Sequence, residues 1–230
     1  MQSGAYLSEQ EALFLSVTEQ LVRPFLQIAR ISELADQEQW QTVRTIADSY
    51  LQIAESYALS LRAHGKITPL KLEPIAVSAL LYDTAHSLSA FAKQYGVELE
   101  VDAGTRQQPI IADRTILQSA MISLGQVFVL AQSESDDMAP VRLSAHKSRY
   151  GVVAGMYGSA SLGAESLRKA RLLQGKAHQP ISQLVSGPAA GVFVADSLLQ
   201  VIKTRLHVAK YHNLTGLAAT LPSSSQLQLV

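Results

Sequence analysis

Residues 14–31, FLSVTEQLVRPFLQIARI, carry the pattern that decides the first part of the fold. Their apolar side chains recur at alternating intervals of three and four residues, which is the spacing of a coiled-coil seam on one helix face. The seam consists of Phe14, Val17, Leu21, Pro24, Ile28 and Ile31. Pro24 lies inside the seam, although a proline in a helix interior costs about 3 kcal/mol. The segment therefore predicts a long amphipathic helix that retains an unfavourable residue.

A second helix is predicted over residues 39–63, because nearly the same spacing returns after a short turn. Its seam consists of Val43, Ile46, Tyr50, Ile53, Tyr57 and Leu61. Two long helices joined by a tight turn form an antiparallel hairpin, and one hairpin cannot bury both seams by itself. We expect two hairpins to pair into a four-helix bundle, so that the chain is a homodimer. The alternative is a monomer whose hairpin packs against its own second domain.

The rest of the chain predicts an α/β sandwich, so that the whole is of the α+β class. Residues 67–74 are expected to form a linker between a helical hairpin at residues 1–66 and a second domain at residues 75–230. After a predicted helix from residue 77, Val97, Leu99 and Val101 alternate with acidic residues, which is the period of a half-buried strand. Further helices are expected at residues 114–131, 165–173 and 189–204. Further strands are expected at residues 110–112, 141–146, 150–157, 206–210 and 215–221.

Composition excludes several classes of function. The 230 residues contain 19 basic and 19 acidic side chains, and this balance gives no reason to expect nucleic acid or an anionic membrane as a partner. No cysteine is present, which excludes disulfides and thiol catalysis. No signal-peptide pattern opens the chain and its apolar runs are too short to span a bilayer. A cytoplasmic protein without a membrane segment is therefore expected.

The helical hairpin resembles the dimerisation and phosphoacceptor domain of sensor histidine kinases. That family carries a hydroxyl or small residue followed by His-Glu-Leu-Arg-Thr-Pro-Leu. This chain has TEQLVRPF at residues 18–25, so that Glu19 stands at the phosphoacceptor position. A carboxylate cannot form the phosphoramidate that an imidazole forms. The resemblance therefore implies a hairpin that has lost its phosphoacceptor.

The second domain resembles the ATP-binding domain that histidine kinases share with gyrase and the Hsp90 chaperones. The matching segments are AKQYGVELEVD at residues 92–102, IIADRTILQ at residues 110–118 and ATLP at residues 219–222. The family pattern Asn-Leu-Leu-x-Asn-Ala falls on SLGQVF at residues 123–128, which puts Ser123 and Val127 at the asparagine positions. A magnesium ion bridging phosphates needs hard oxygen ligands, and Val127 has none.

Two further nucleotide-binding motifs of the family are altered. Its Asp-x-Gly-x-Gly adenine motif falls on GMYGSASL at residues 155–162, which includes Met156 and Tyr157 but no acidic residue. Its last glycine motif falls on SGPAAG at residues 186–191, where Gly187 and Gly191 remain but Pro188 has no amide to donate to a phosphate. Together with Glu19, these losses imply a pseudo-histidine-kinase that holds no cofactor and no metal.

We therefore expect a catalytically inactive, dimeric signalling adaptor or regulator. The resemblance implies that a response-regulator receiver domain or another histidine kinase docks near Glu19, Gln20, Arg23 and Phe25. Two alternatives remain open. One is an ATP-independent histidine phosphotransferase, for which His64 is the substitute phosphoacceptor. The other is a ligand sensor that uses the emptied nucleotide pocket.

Overall fold

The computed structural model describes residues 37–64, 69–104, 109–137, 139–159, 162–175 and 189–223. Glu19, Gln20, Arg23, Phe25 and Gly187 lie outside these residues, as does the first predicted helix. The helices are α1 (Gln37–His64), α2 (Val77–Gln94), α3 (Arg114–Ser133), α4 (Ala164–Gly175) and α5 (Ala189–Val201). The strands are β1 (Leu72–Ile75), β2 (Leu99–Ala103), β3 (Ile110–Asp113), β4 (Val141–Ser148), β5 (Gly151–Gly158), β6 (Leu206–Tyr211) and β7 (Leu214–Leu221).

Five strands form the main sheet in the spatial order β2-β4-β5-β7-β6. β2 runs parallel to β4, and every other neighbouring pair is antiparallel. The hairpin from β6 to β7 turns tightly at His212, whose φ of 51° lies in the left-handed region that such turns require. Helices cover one face of this sheet, which we call the inner face. The mixed α+β architecture predicted from the sequence is confirmed.

One strand replaces part of the predicted linker. Residues 72–75 form β1, which pairs antiparallel with β3 in a separate two-stranded sheet. Ile75 is buried in the core, and this burial fixes the end of the segment. Pro74 is compatible with a strand here because β1 has only one neighbour, so a missing amide on its open side breaks no ladder bond.

α3 is the central helix of the core. Its N-terminus is capped by Asp113, whose Oδ1 accepts a hydrogen bond from the Ile116 amide at 3.1 Å and whose Oδ2 accepts one from the Lys71 amide at 2.9 Å. By length and composition α3 is apolar enough to cross a membrane, but 72% of its apolar window is buried inside the protein. Because α1, α2, α5 and the sheet surround α3, its apolar residues face protein on nearly all sides.

α1 packs on the helical layer of the second domain, against α2, α3 and α5. The hydroxyl oxygens of Ser60 on α1 and Ser197 on α5 are 2.8 Å apart and buried. Gln126 Nε2 on α3 donates to Gln52 Oε1 at 3.4 Å. These contacts of α1 with the second domain are the ones expected in the monomer alternative, where the hairpin packs against its own second domain. The four-helix bundle and the homodimer stay predictions.

Candidate functional site

Four predicted nucleotide-site positions lie between the helical layer and the inner face of the sheet. Ser123 and Val127 are on α3, Gly191 is on α5 and Met156 is on β5. All four are buried, and Val127 is only 4% exposed. The fold therefore brings together residues that the sequence placed in three separate motifs.

α3 and α5 are in close contact at these positions. A Cβ atom built on Gly191 would lie 2.3 Å from Cγ2 of Val127 and 3.3 Å from the carbonyl oxygen of Ser123. The Val127 side chain thus packs directly on the backbone of α5. Since Val127 offers no oxygen and its methyl group is held against Gly191, this position does not fit a magnesium–nucleotide complex. Among the described residues, no group of three His, Cys, Asp or Glu side chains is placed to hold a metal ion.

Met156 and Tyr157 separate onto opposite faces of β5. Met156 is fully buried in the main core and lies near Gly125 of α3, where a Cβ atom would be 3.1 Å from the methionine Cε. Tyr157 points to the outer face, as alternation along a strand requires. There its ring lies over Gly216 of β7, where a Cβ atom would be 2.7 Å from the ring. Tyr157 is therefore not part of the group formed by Ser123, Val127, Met156 and Gly191.

Tyr157 belongs instead to an outer-face aromatic cluster with His146 and Tyr211. The Tyr211 ring stacks on His146 with centroids 5.5 Å apart and lies 5.3 Å from the Tyr157 ring. The Tyr211 hydroxyl donates to Oδ2 of Asp102 at 2.9 Å. Tyr211 of the edge strand β6 thereby reaches β2 at the opposite edge of the sheet. The Tyr211 side chain therefore covers part of the outer face, which explains why Tyr157 is fully buried.

Burial shifts the ionisation of two members of this cluster. It raises the pKa of Tyr157 to about 12, with a smaller contribution from the negative charge that Tyr211 can carry. Burial also lowers the pKa of His146. Within the described part of the chain, neither the Tyr157 hydroxyl nor His146 Nδ1 has a hydrogen-bond partner. Both groups are therefore held neutral at physiological pH, which fits a packing role better than proton transfer.

α5 carries a buried carboxylate that no sequence motif indicated. Asp196 is fully buried, and its Oδ1 accepts a hydrogen bond from the Leu206 amide at 2.8 Å. Its Oδ2 lies 3.6 Å from Nε of Arg171, whose Nη2 donates to the Leu206 carbonyl oxygen at 2.6 Å. The available signal was a single acidic residue inside the apolar run of α5. A third partner, Gln200, lies one helical turn away and donates from Nε2 to Oδ2 at 3.3 Å. Leu206 and Arg171 are 10 and 25 positions away, so only the fold reveals these two contacts.

The chain matches known proteins in structure but not in sequence. No protein-family model matches the sequence, and no curated protein matches it significantly. Among solved structures, the histidine kinase AdeS of Acinetobacter baumannii superposes with a TM-score of 0.58 at 10% identity, covering 90% of this chain and 98% of that one. The histidine kinase ThkA, in complex with the response regulator protein TrrA, gives 0.57 at 11% identity over 91% of this chain and 60% of that one.

A third structure, full-length ShkA in complex with AMPPNP, has a TM-score of 0.56 at 17% identity. The match covers 95% of this chain and 47% of that one. At these identities the shared property is the arrangement of helices and strands. The chain therefore has a histidine-kinase-like fold, as its sequence resemblance predicted.

Proposed function

We propose that this chain is a catalytically inactive histidine-kinase-like protein that acts as a dimeric adaptor or regulator. The observation that carries the proposal is the contact between Val127 and Gly191. It places a hydrocarbon side chain, packed against α5, at the position where the family resemblance calls for a magnesium ligand. Glu19 at the phosphoacceptor position supports the same proposal from the sequence. The chain would then contribute binding rather than phosphoryl transfer.

A response-regulator receiver domain is the proposed partner. One of the similar structures is a histidine kinase bound to a response regulator. The predicted docking residues are Glu19, Gln20, Arg23 and Phe25. Calorimetric titration of receiver domains from the same cell into the full chain would test the partner, with Phe25→Ala and Arg23→Glu expected to weaken binding. Failure of every receiver domain to bind would contradict the adaptor role.

Nucleotide binding is the first test of the inactive site. We expect a fluorescent ATP analogue with magnesium to bind neither the native chain nor the Val127→Ala variant, in which only packing is changed. A ligand present at 100 times its dissociation constant stabilises a protein by about 2.7 kcal/mol, so the melting temperature is a second readout. Micromolar binding with a matching thermal shift would contradict the proposal. An active histidine kinase serves as the positive control.

The phosphotransferase alternative has its own readout. His64 is the last residue of α1, at the end of the helix that packs on the second domain. After incubation with a phosphorylated receiver domain, the adaptor hypothesis expects no phosphate on the chain. Acid-labile phosphate that disappears in the His64→Ala variant would instead establish a phosphorelay function.

A further inference from the structure

The net charge of zero conceals a strong segregation of charge along the chain. Of the 19 acidic residues 17 precede residue 141, whereas 10 of the 19 basic residues follow it. The two acidic residues after that point already have basic partners. Glu165 pairs with Lys169 at 2.8 Å, and Asp196 lies 3.6 Å from Arg171. The second half of the domain therefore carries an excess of positive charge.

Part of this charge lies beside β6, which is an edge strand of the main sheet. Lys203 and Arg205 are exposed just before the strand, and Lys210 is exposed on it. None of the three forms an ion pair with a described residue. Gln200, Lys203, Thr204 and Arg205 line a surface cavity of about 480 Å³. We call the surface formed by this cavity and the open edge of β6 the basic edge.

The hydrogen bonds of Leu206 establish which backbone groups of β6 point outward. Its amide donates to Asp196 and its carbonyl accepts from Arg171, so both groups face away from β7. Outward and inward groups alternate along an antiparallel strand. Val208 and Lys210 therefore also direct their N–H and C=O groups outward. Among the described residues, no side chain or backbone group pairs with the outward groups of these two residues.

We propose that the basic edge binds an extended acidic peptide segment of a partner protein, which adds to β6 as a sixth strand. Main-chain bonds to Val208 and Lys210 would supply the pairing, and the Val208 side chain, 40% exposed, would supply an apolar contact. Arg205 and Lys210 would select acidic side chains on the incoming strand. The outward groups of Leu206 are already bonded to Asp196 and Arg171. The incoming strand can therefore pair only with Val208 and Lys210, which fixes its register on β6. The inference is independent of the proposed loss of nucleotide binding.

A peptide suits this surface better than a second copy of β6 or a nucleic acid. Two basic edges repel each other, and lysine on an edge strand is a known protection against self-pairing. A polyanion without amides would use the positive charge but leave the outward N–H and C=O groups of Val208 and Lys210 without strand partners. The combination of free ladder groups and unpaired basic side chains favours an acidic strand.

The experiment is a fluorescence anisotropy titration of the full chain with a capped peptide of alternating Glu and Val, about six residues long. A peptide of alternating Lys and Val is the control ligand. Arg205→Glu and Lys210→Glu, tested singly, are expected to raise the dissociation constant about tenfold. Lys93→Glu, an exposed charge reversal at the end of α2, is the matched control and should leave it unchanged. Binding should weaken as ionic strength rises.

The Val208→Pro variant tests strand addition itself. It removes an outward amide that the β6–β7 ladder does not use, and circular dichroism and melting temperature will check that the fold is retained. Loss of binding in this variant, together with slower amide exchange at Val208 and Lys210 when the peptide binds the native chain, supports the inference. Equal affinity for the Lys-Val peptide overturns it. Peptide binding that Val208→Pro leaves intact also overturns it. The same holds if a single-stranded DNA oligonucleotide binds with equal affinity and Val208→Pro leaves that binding intact. Self-association of the chain that Arg205→Glu abolishes would overturn it as well.

Discussion

Asp196 bonds α5 to Leu206, the first residue of β6. Because Asp196 is buried, no water can replace it as the acceptor for the Leu206 amide. In the Asp196→Ala variant the Leu206 amide loses its acceptor, and the Arg171 guanidinium loses its ion-pair partner while keeping its bond to the Leu206 carbonyl. An unsatisfied buried donor costs about 1–3 kcal/mol, and the charged partner adds to this. We expect the free energy of unfolding to fall by about 2–3 kcal/mol, measured by urea denaturation. Asp48→Ala, which removes an exposed carboxylate on α1, is the control and should cost less than about 0.5 kcal/mol.

Tyr157 should make stability sensitive to alkaline pH. Its pKa is about 12 in the folded protein and about 10 in the unfolded chain, so the unfolded state ionises first as pH rises. The contribution is therefore fully present below pH 10 and is lost between about pH 10 and 12. We expect the melting temperature to fall over this range more steeply in the native chain than in Tyr157→Phe. Parallel curves for the two proteins would contradict the assignment.

The same substitution predicts a gain in stability near neutral pH. The Tyr157 hydroxyl is buried with no hydrogen-bond partner in the part of the chain that the structure describes, and an unpaired buried hydroxyl is costly. Phenylalanine keeps the ring contacts with Tyr211 and removes the unpaired group. We expect Tyr157→Phe to be more stable by about 1 kcal/mol in urea denaturation at pH 7. Destabilisation by this variant would show that the hydroxyl has a role that its surroundings do not reveal.

At the scale of elements, the contact between α3 and α5 depends on Gly191. Alanine would improve helix propensity by about 1 kcal/mol, but its Cβ would overlap the stiff Val127 side chain. Overpacking of this kind costs about 1–3 kcal/mol, so we expect Gly191→Ala to be net destabilising by about 1 kcal/mol. Val127→Ala makes room for the new methyl group. In a double-mutant cycle measured by urea denaturation, the pair should couple favourably, and simple additivity would contradict direct contact.

Most elements of the second domain could be predicted from local pattern. Helices α2 and α3 and the hairpin of β4 and β5 have clear periodicity and turn residues, and their predicted bounds agree with the structure within a few residues. β1 could not be predicted, since Leu72–Ile75 has no alternation of its own and contains a proline. It becomes a strand because β3 pairs with it and because Ile75 enters the core.

At the scale of the whole molecule, α1 is part of the core of the second domain. Leu59 and Ala63 pack against the main apolar cluster, and Ser60 meets Ser197 in a buried contact. We therefore expect α1 and the sheet domain to unfold together in a single calorimetric transition. Ser197→Ala should lower the temperature of that transition without dividing it. Two separate transitions in the native chain would contradict a shared core.

The sequence by itself determined the class of fold and the chemical content of the predicted site. Residue types at Glu19, Ser123 and Val127 are properties of the chain, and helical and strand periodicity report burial that is local in sequence. Tertiary structure alone decided which positions meet. It brought Val127 onto Gly191, turned Tyr157 to the other face of β5 and placed Asp196 beside Leu206. The same is true of the basic edge, because side chains distant in sequence become one surface only when the sheet fixes their order in space.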